Sequence, residues 1–330
     1  MTRTGDRPVP VVTVYRHGAR AGVAPMRNSH DRAVRGAVSG WSAGATRRNT
    51  QFLYSVREDQ LTGVGYAVTL TLRECPPSPD DWHRLRRAWE RRMQRQGMIR
   101  MHWVTEWQRR GVPHLHGAVW FPDQFAASHR METIRAFMEM AWCEIASSYG
   151  AGQRGQHVHL ITGAVGWFQY LSKHASRGVG HYQRSPENIP PGWQEKTGRV
   201  WGKVGAWPVQ EGVRIHLEGR DGDGAWFAYR RLIRSWRVGD SRREADPTNR
   251  ARRARLARSM LRCNEQRRSE VRGISEWVPQ WCSLAIASNL VTRGYRIVYS
   301  PGEGPADRDI ESDRERDSDW LSAYLSGGAA

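Results

Sequence analysis

The chain contains few cysteines, and none of them are paired in sequence. Its four cysteines are spread over 330 residues without a CxxC pair. This pattern excludes a disulfide framework and a zinc knuckle, and it favours a reducing compartment. No apolar run reaches about 18 residues, and no uninterrupted apolar stretch follows the N-terminus, which excludes a membrane span and a signal peptide. We therefore expect a soluble, intracellular protein without a membrane partner.

Acidic residues are also in deficit. Lysine and arginine number 51 against 33 acids, which gives a formal net charge of +18, and arginine greatly outnumbers lysine. Such an excess of positive charge causes repulsion within the molecule, and binding to a polyanion would offset this repulsion. The arginine fork suits contacts to phosphate and stacking on bases. Nucleic acid is the partner class that this composition favours.

What is present suits a folded protein of about two domains. Hydrophobic residues make up 39% of the chain, which is enough for a core. Residues 230–272 hold fifteen arginines against five acids, and residues 303–319 reverse the sign. We expect four parts: a basic, partly disordered N-terminal arm with one short helix near 49–57 (1–60), a central domain (61–210), a basic C-terminal region that is mainly helical and a candidate for DNA contact (211–300), and an acidic flexible tail (301–330).

The central domain has a readable order of elements. Hydrophobic periodicity predicts strands at 66–72, 99–107, 113–121 and 156–162, and helices at 80–96, 128–149 and 163–176. The order strand, helix, strand, strand, helix, strand predicts an α+β fold of the split βαβ, ferredoxin-like kind, an antiparallel sheet with helices packed on it. Beyond this domain we expect a Gly- and Trp-rich loop at 192–207, a strand at 213–217 and an Arg-laden helix at 226–236.

A candidate metal site lies in the predicted hairpin. His114 and His116 are two residues apart on a strand, so both imidazoles point to one face. Glu106 lies across a predicted turn at Arg110-Gly111, from where its carboxylate can reach the same histidines. Two imidazoles and one carboxylate can hold a divalent cation and leave positions open for substrate.

A second chemical signal is Tyr170-Leu171-Ser172-Lys173, on the helix after the last strand of the domain. The i, i+3 spacing puts Tyr170 and Lys173 on one helical face. A lysine beside a phenol favours the phenolate and attracts a phosphate, and both effects help where tyrosine is a nucleophile. The pair gains weight from the histidines, the basic charge and the order of elements.

Three motifs in this order resemble those of the HUH endonucleases that initiate rolling-circle replication. They are Thr69-Leu70-Thr71 at the end of the first strand, Glu106 with His114-Leu115-His116, and Tyr170 with Lys173. The likeness is closest to single-tyrosine Rep proteins of single-stranded-DNA phages and related plasmids, and it covers about residues 50–210.

The resemblance implies a role for each residue. Glu106, His114 and His116 would hold Mg²⁺ or Mn²⁺, and Tyr170 would attack the scissile phosphate to leave a 5′-phosphotyrosine bond and a free 3′-OH. Lys173 would orient the phosphate or a bound water, or lower the pKa of the tyrosine. Residues expected to contact DNA are Thr69, Thr71, Arg109, Arg110, His174 and Arg177.

The resemblance also implies partners and a location. The substrate would be single-stranded origin DNA, host helicase and polymerase would be further partners, and the protein would act in the cytoplasm of a bacterial host. With one tyrosine in the helix, the second strand transfer would need another protomer, Tyr182 or an activated water.

Four other interpretations stand beside this one. His157-Val158-His159 is a rival histidine pair, but it lacks an acid at hairpin spacing and is better explained as part of the sheet. Arg16-His17-Gly18-Ala19-Arg20 resembles the RHGxR signature of histidine phosphatases, although the chain lacks the distant second histidine followed by an acid. The remaining alternatives are an HUH relaxase or transposase, and a non-catalytic basic protein that binds DNA or RNA.

Overall fold

The computed structural model describes residues 10–23, 40–171, 182–218, 222–262 and 274–300. Within these ranges the strands are β1 (Pro10–Val14), β2 (Gly18–Val23), β3 (Val64–Thr71), β4 (Arg100–Trp107), β5 (Pro113–Phe121), β6 (His157–Leu160), β7 (Trp201–Gly205), β8 (Val213–Glu218), β9 (Ile274–Trp277) and β10 (Arg296–Ser300). The α-helices are α1 (Ala43–Ser55), α2 (Pro79–Arg95), α3 (Ser128–Ile145), α4 (Ala164–Leu171), α5 (Gly222–Ser241), α6 (Pro247–Arg262) and α7 (Gln280–Thr292). None of the helices in these ranges combines the length and the apolar character that a bilayer span requires.

The first sheet is antiparallel and has the strand order β6-β3-β5-β4-β7. Four of its strands, β3 to β6, occur along the chain in the order of strands and helices that the sequence predicts. The α+β class, with helices packed on an antiparallel sheet, is confirmed. β4 and β5 form a hairpin in which Glu106 pairs with His114 and Val104 with His116. β5 is the central strand, and β3 pairs with its other side so that Thr69 lies opposite His116.

Helices cover both faces of this sheet. On one face α2 and α3 pack together through tryptophans, and the Trp82 and Trp142 rings meet edge-on with centroids 5.7 Å apart. Ser78 caps α2, because its hydroxyl accepts a hydrogen bond from the Asp81 amide. On the other face α1 and α4 cover one end of the strands, where Phe52 and Phe168 are buried. His114 and His116 lie at the opposite end of that face.

β7 occupies a stretch that the sequence predicts as loop. It adds to the free edge of β4, with Gly202 opposite Trp103. A Cβ at Gly202 would lie 2.8 Å from the Trp103 ring, so only glycine lets the two strands approach there. Gly202, one of the glycines that make this segment resemble a loop, is therefore a requirement of its pairing.

The second sheet is built from both ends of the described chain. Its order is β10-β8-β1-β2-β9, and every pair is antiparallel. α5 and α7 pack against it around a core to which both ends contribute, including Val12, Ile215, Tyr229 and Leu290. The sequence predicts β8 and a helix at α5, but it predicts neither β1, β2, β9, β10 nor α7.

Both sheets belong to one compact unit, residues 1–300, and they meet at the end of α1. The Tyr54 ring packs edge-on against Trp277 with centroids 4.7 Å apart. The Tyr54 carbonyl accepts a hydrogen bond from the His17 amide at 3.0 Å. Gly18 faces the same tyrosine ring, with no room for a Cβ.

The helix α6 carries much of the arginine of the C-terminal region. Arg253 forms ion pairs of 2.8 Å with both Asp240 and Glu244, which fixes α6 to the end of α5. Among the α6 side chains that the structure describes, the exposed arginines are Arg250, Arg252, Arg255 and Arg258.

Candidate functional site

Three ionisable side chains meet on one face of the first sheet. The pairing of β4 with β5 puts Glu106 directly beside His114, and His116 follows two residues later on the same face. All three are at least 95% buried. The Nε2 atoms of His114 and His116 lie 2.9 Å apart, and His116 Nε2 lies 3.7 Å from Glu106 Oε2. One possible ligand atom from each residue lies within 4.8 Å of the others.

This donor set fits a divalent cation. Metal–nitrogen bonds of about 2.1 Å at right angles place two donor nitrogens about 3 Å apart, which matches the 2.9 Å between the two imidazoles. Imidazole nitrogen combined with carboxylate oxygen suits Mn²⁺ and other first-row cations. Three protein ligands also leave coordination positions open toward the groove. The group can therefore hold a metal ion.

Thr69 orients one of the imidazoles. Its Oγ1 lies 2.9 Å from His116 Nδ1. When Nδ1 carries the proton and donates it to this hydroxyl, the Nε2 lone pair faces the other ligands. Thr71 faces His114 in the register, but its hydroxyl donates to the Gly155 carbonyl at 2.9 Å. Thr69 thus contacts a histidine, whereas Thr71, on the same strand face, contacts the backbone.

Two further residues reach the triad from a short 3-10 helix at Tyr182–Arg184. Gln183 Nε2 lies 3.3 Å from His114 Nε2. Arg184 Nε donates to Glu106 Oε1 at 2.8 Å in an ion pair whose side chains are 1% and 2% exposed. Burial lowers the pKa of the Arg184 guanidinium, and the Glu106 carboxylate opposes that shift. Sequence reasoning missed both residues, because no periodicity or motif marks this segment.

Tyr170 stands at the edge of the same site. On α4, Phe168 and Leu171 face the core, while Trp167 and Tyr170 form the outer pair at i, i+3. The Tyr170 ring stacks on Trp167 at 4.8 Å and meets the His116 ring edge-on at 5.6 Å. The tyrosine is 38% exposed, so its hydroxyl can meet a substrate. Lys173, His174 and Arg177 lie outside the described residues.

A groove of about 590 Å³ opens over these side chains. The expected DNA contacts Thr69, Thr71 and Arg109 are among its walls. The complete lining is Thr69, Thr71, Gln108, Arg109, His114, His116, Gly155, His157, Tyr170 and Gln183. Arg110 is not part of the lining, since it turns back to donate to the Leu72 and Arg73 carbonyls.

The two rival motifs have other positions. His157 and His159 are exposed on the edge strand β6, with ring centroids 6.3 Å apart, and His157 reaches the groove wall. His17 lies in the turn between β1 and β2, where its Nε2 is 2.8 Å from Glu58 Oε2 and its ring stacks on Trp277. It therefore belongs to the junction between the two sheets.

Comparisons with known proteins agree with one another. Residues 65–179 match the family model of the replication-associated protein ORF2. A putative replication protein of Xylella fastidiosa strain 9a5c is 58% identical over 291 residues, which are 88% of this chain and 99% of that protein. A second putative replication protein of Xylella fastidiosa, from strain Temecula1, is 58% identical over 273 residues, which are 82% of this chain and 99% of that protein. A replication-associated protein of Pseudomonas phage Pf3 is 47% identical over 286 residues, which are 86% of this chain and 98% of that protein. No solved structure matches the chain.

Proposed function

The chain belongs to the family of replication-associated proteins of the ORF2 type, and from this premise we propose that it initiates rolling-circle replication by nicking single-stranded origin DNA. Residues 61–210 form the endonuclease domain in this proposal, and Tyr170 is the nucleophile. The observation that carries it is the position of Tyr170, whose ring lies edge-on to His116 at the mouth of the buried Glu106, His114 and His116 group.

The chemistry is a transesterification. The Tyr170 oxygen attacks the scissile phosphorus in line, the bond from phosphorus to the 3′-oxygen breaks, and a 5′-phosphotyrosine bond forms. The phenol loses its proton, and the departing 3′-oxygen gains one to become the 3′-OH that primes polymerase. The later rejoining of the strand reverses these steps at a new 3′-OH. No energy source is required, because one phosphodiester replaces another.

The side chains in and around the groove have separate roles in this reaction. Glu106, His114 and His116 would hold Mg²⁺ or Mn²⁺, which when bound polarises the scissile phosphate and neutralises developing charge. Trp167 stacks on Tyr170 and fixes the plane of its ring. Arg109 on the groove wall offers a cation to the DNA backbone. The exposed arginines of α6 would add contacts to duplex or hairpin DNA that weaken as the salt concentration rises.

The test is formation of a covalent protein–DNA adduct. Single-stranded segments that tile the replicon encoding this chain are incubated with the protein and Mn²⁺, and adducts are detected on a denaturing gel. We expect the wild type to form an adduct with a segment that contains the origin. Tyr170→Phe should bind the same DNA without an adduct, and His114→Ala should lose the metal-dependent adduct while keeping its circular dichroism spectrum.

Tyr149→Phe is the matched control, because Tyr149 lies beyond α3 and does not line the groove. It should form the adduct at the wild-type rate. An adduct with Tyr170→Phe would show that another residue is the nucleophile. If the wild type forms none with any segment, the chain is a DNA-binding protein without this activity.

A further inference from the structure

Arg184 is the most deeply buried cation near the candidate metal ligands, and its guanidinium makes contacts in three directions. Its Nε donates to Glu106 Oε1 at 2.8 Å. Its Nη2 donates to the Leu171 carbonyl at 3.1 Å, at the last residue of α4 and one residue after Tyr170. Its Cζ lies 3.8 Å from the centroid of the Trp41 ring. The side chain is 1% exposed, so water does not replace any of these contacts.

We propose that Arg184 is a positioning residue that fixes the Glu106 ligand and the Tyr170 helix relative to each other. This inference rests on the proposed function. By engaging Oε1, Arg184 leaves Oε2 as the Glu106 oxygen that faces His116 Nε2 at 3.7 Å, so the carboxylate would offer one oxygen to a cation. Through the Leu171 carbonyl, the same rigid fork sets the distance between the ligand group and the end of α4.

Trp41 makes the bridge rigid. Its ring covers the face of the guanidinium, and its Nε1 donates to the Thr105 carbonyl at 2.8 Å, beside Glu106 on β4. Trp41 is 3% exposed. A planar guanidinium can stack on a ring and donate at two edges at once, whereas an ammonium is a point charge on a flexible stem. The geometry therefore requires arginine rather than a positive charge alone.

The experiment measures metal binding and chemistry separately. Mn²⁺ affinity is determined by electron paramagnetic resonance without DNA, and the single-turnover rate of adduct formation is measured with saturating Mn²⁺. In Arg184→Lys we expect unchanged Mn²⁺ affinity and a rate that falls at least about 10-fold, because misplacement by about 1 Å can cost 100-fold. In Arg184→Met, loss of a neighbouring cation strengthens the attraction of Glu106 for Mn²⁺, whereas loss of the Nε contact leaves the carboxylate less well oriented. We expect these two effects to offset each other, so that Mn²⁺ affinity stays close to that of the wild type while the rate falls about 100-fold.

Arg86→Lys is the matched control. Arg86 is also buried, pairs with Glu90 at 2.5 Å and lies 4.0 Å from the Trp103 ring centroid, but it sits on α2 away from the groove. Its substitution should change thermal stability without changing either readout.

Three results would overturn the inference. A wild-type rate in Arg184→Lys shows that the bridge is not needed. A parallel loss of Mn²⁺ affinity, rate and thermal stability in Arg184→Lys shows that Arg184 only supports the fold. Absence of an adduct with the wild type removes the proposed function and with it the role of Arg184, and this outcome is distinct from the other two.

Discussion

At the scale of single residues, the site is defined by what holds its ligands in place. Each of two candidate ligands is anchored on the side away from the others, His116 by Thr69 and Glu106 by Arg184. Such outer contacts fix the ring orientation and leave the inward atoms available to a cation. The three candidate ligand atoms therefore converge in the absence of a metal ion, and a cation would bind with little reorganisation.

Thr69 offers a direct measure of this effect. In Thr69→Val the volume is nearly kept, but His116 Nδ1 loses the hydroxyl that orients it, so we expect Mn²⁺ affinity to fall about 10-fold. The measurement is a Mn²⁺ titration followed by electron paramagnetic resonance. Thr71→Val is the control, because the Thr71 hydroxyl donates to the Gly155 carbonyl and not to a histidine. Equal losses in both variants would refute the orienting role of Thr69.

The sequence predicts the candidate ligands but not the residues that support them. His114, His116 and Glu106 follow from strand alternation and one turn, which are local rules over eleven residues. Arg184 lies 78 residues from Glu106 in a segment without periodicity, and only the tertiary fold brings the two together. Side-chain chemistry alone cannot select it from so many arginines.

At the scale of elements, the hairpin of β4 and β5 sets the register of the site. Its three-residue loop, Arg109 to Gly111, ends with Gly111 at φ +78°. Gln108 N donates to the Val112 carbonyl at 2.9 Å and closes the loop. A type I turn followed by a left-handed residue is a common solution for such loops. The loop thereby fixes Glu106 opposite His114, and a slip by one residue would send both histidines to the other face.

Gly111→Ala should destabilise the protein by about 1 kcal/mol, because a Cβ is unfavourable in the left-handed region. Urea denaturation measures the change in the free energy of unfolding. Gly152→Ala is a suitable reference, since Gly152 has φ −125° and open space around its Cβ position. That variant should be neutral or slightly stabilised. If the two variants lose the same stability, the conformation of Gly111 is not the cause.

Local patterns predict the first sheet better than the second. The strands at 99–107 and 113–121 alternate and are separated by a clear turn, and they are observed at Arg100–Trp107 and Pro113–Phe121. β1 has only five residues, and its partner β8 comes far later in the chain. β1 and β2 pair with each other locally, but they are short and their outer partners β8 and β9 lie far along the chain. Such strands leave little local signal, and this is why the N-terminal segment resembles an arm in the sequence.

At the scale of the whole molecule, burial of ionisable groups links stability to pH. His102 is fully buried on β4, and its Nε2 lies 2.7 Å from Asn49 Oδ1. Burial lowers the pKa of His102 to about 3, and the charges of Arg184 and Lys203 act in the same direction. The imidazole is therefore neutral in the folded protein, while the unfolded chain protonates it near its ordinary pKa.

Stability should consequently fall as the pH drops below about 6.5, because the unfolded state then binds a proton that the folded state excludes. The contribution is up to about 1.4 kcal/mol per pH unit until about pH 3. Urea denaturation at a series of pH values gives the slope. His102→Gln keeps a donor for Asn49 but cannot titrate, so its slope should be smaller. Identical slopes in the two proteins would exclude His102 as a source.

The second sheet has a consequence for how the chain is synthesised. β1 pairs with β8 about 200 residues later, so at 5 to 20 residues per second the ribosome needs roughly 10 to 40 s to supply the partner. All five strands of the first sheet, including β7, leave the ribosome before β8 does. The first sheet, which carries the candidate site, can fold early in translation, whereas the hairpin of β1 and β2 has no β8 to pair with until later. A pause or a premature stop before residue 213 would leave that hairpin exposed beside a finished first sheet.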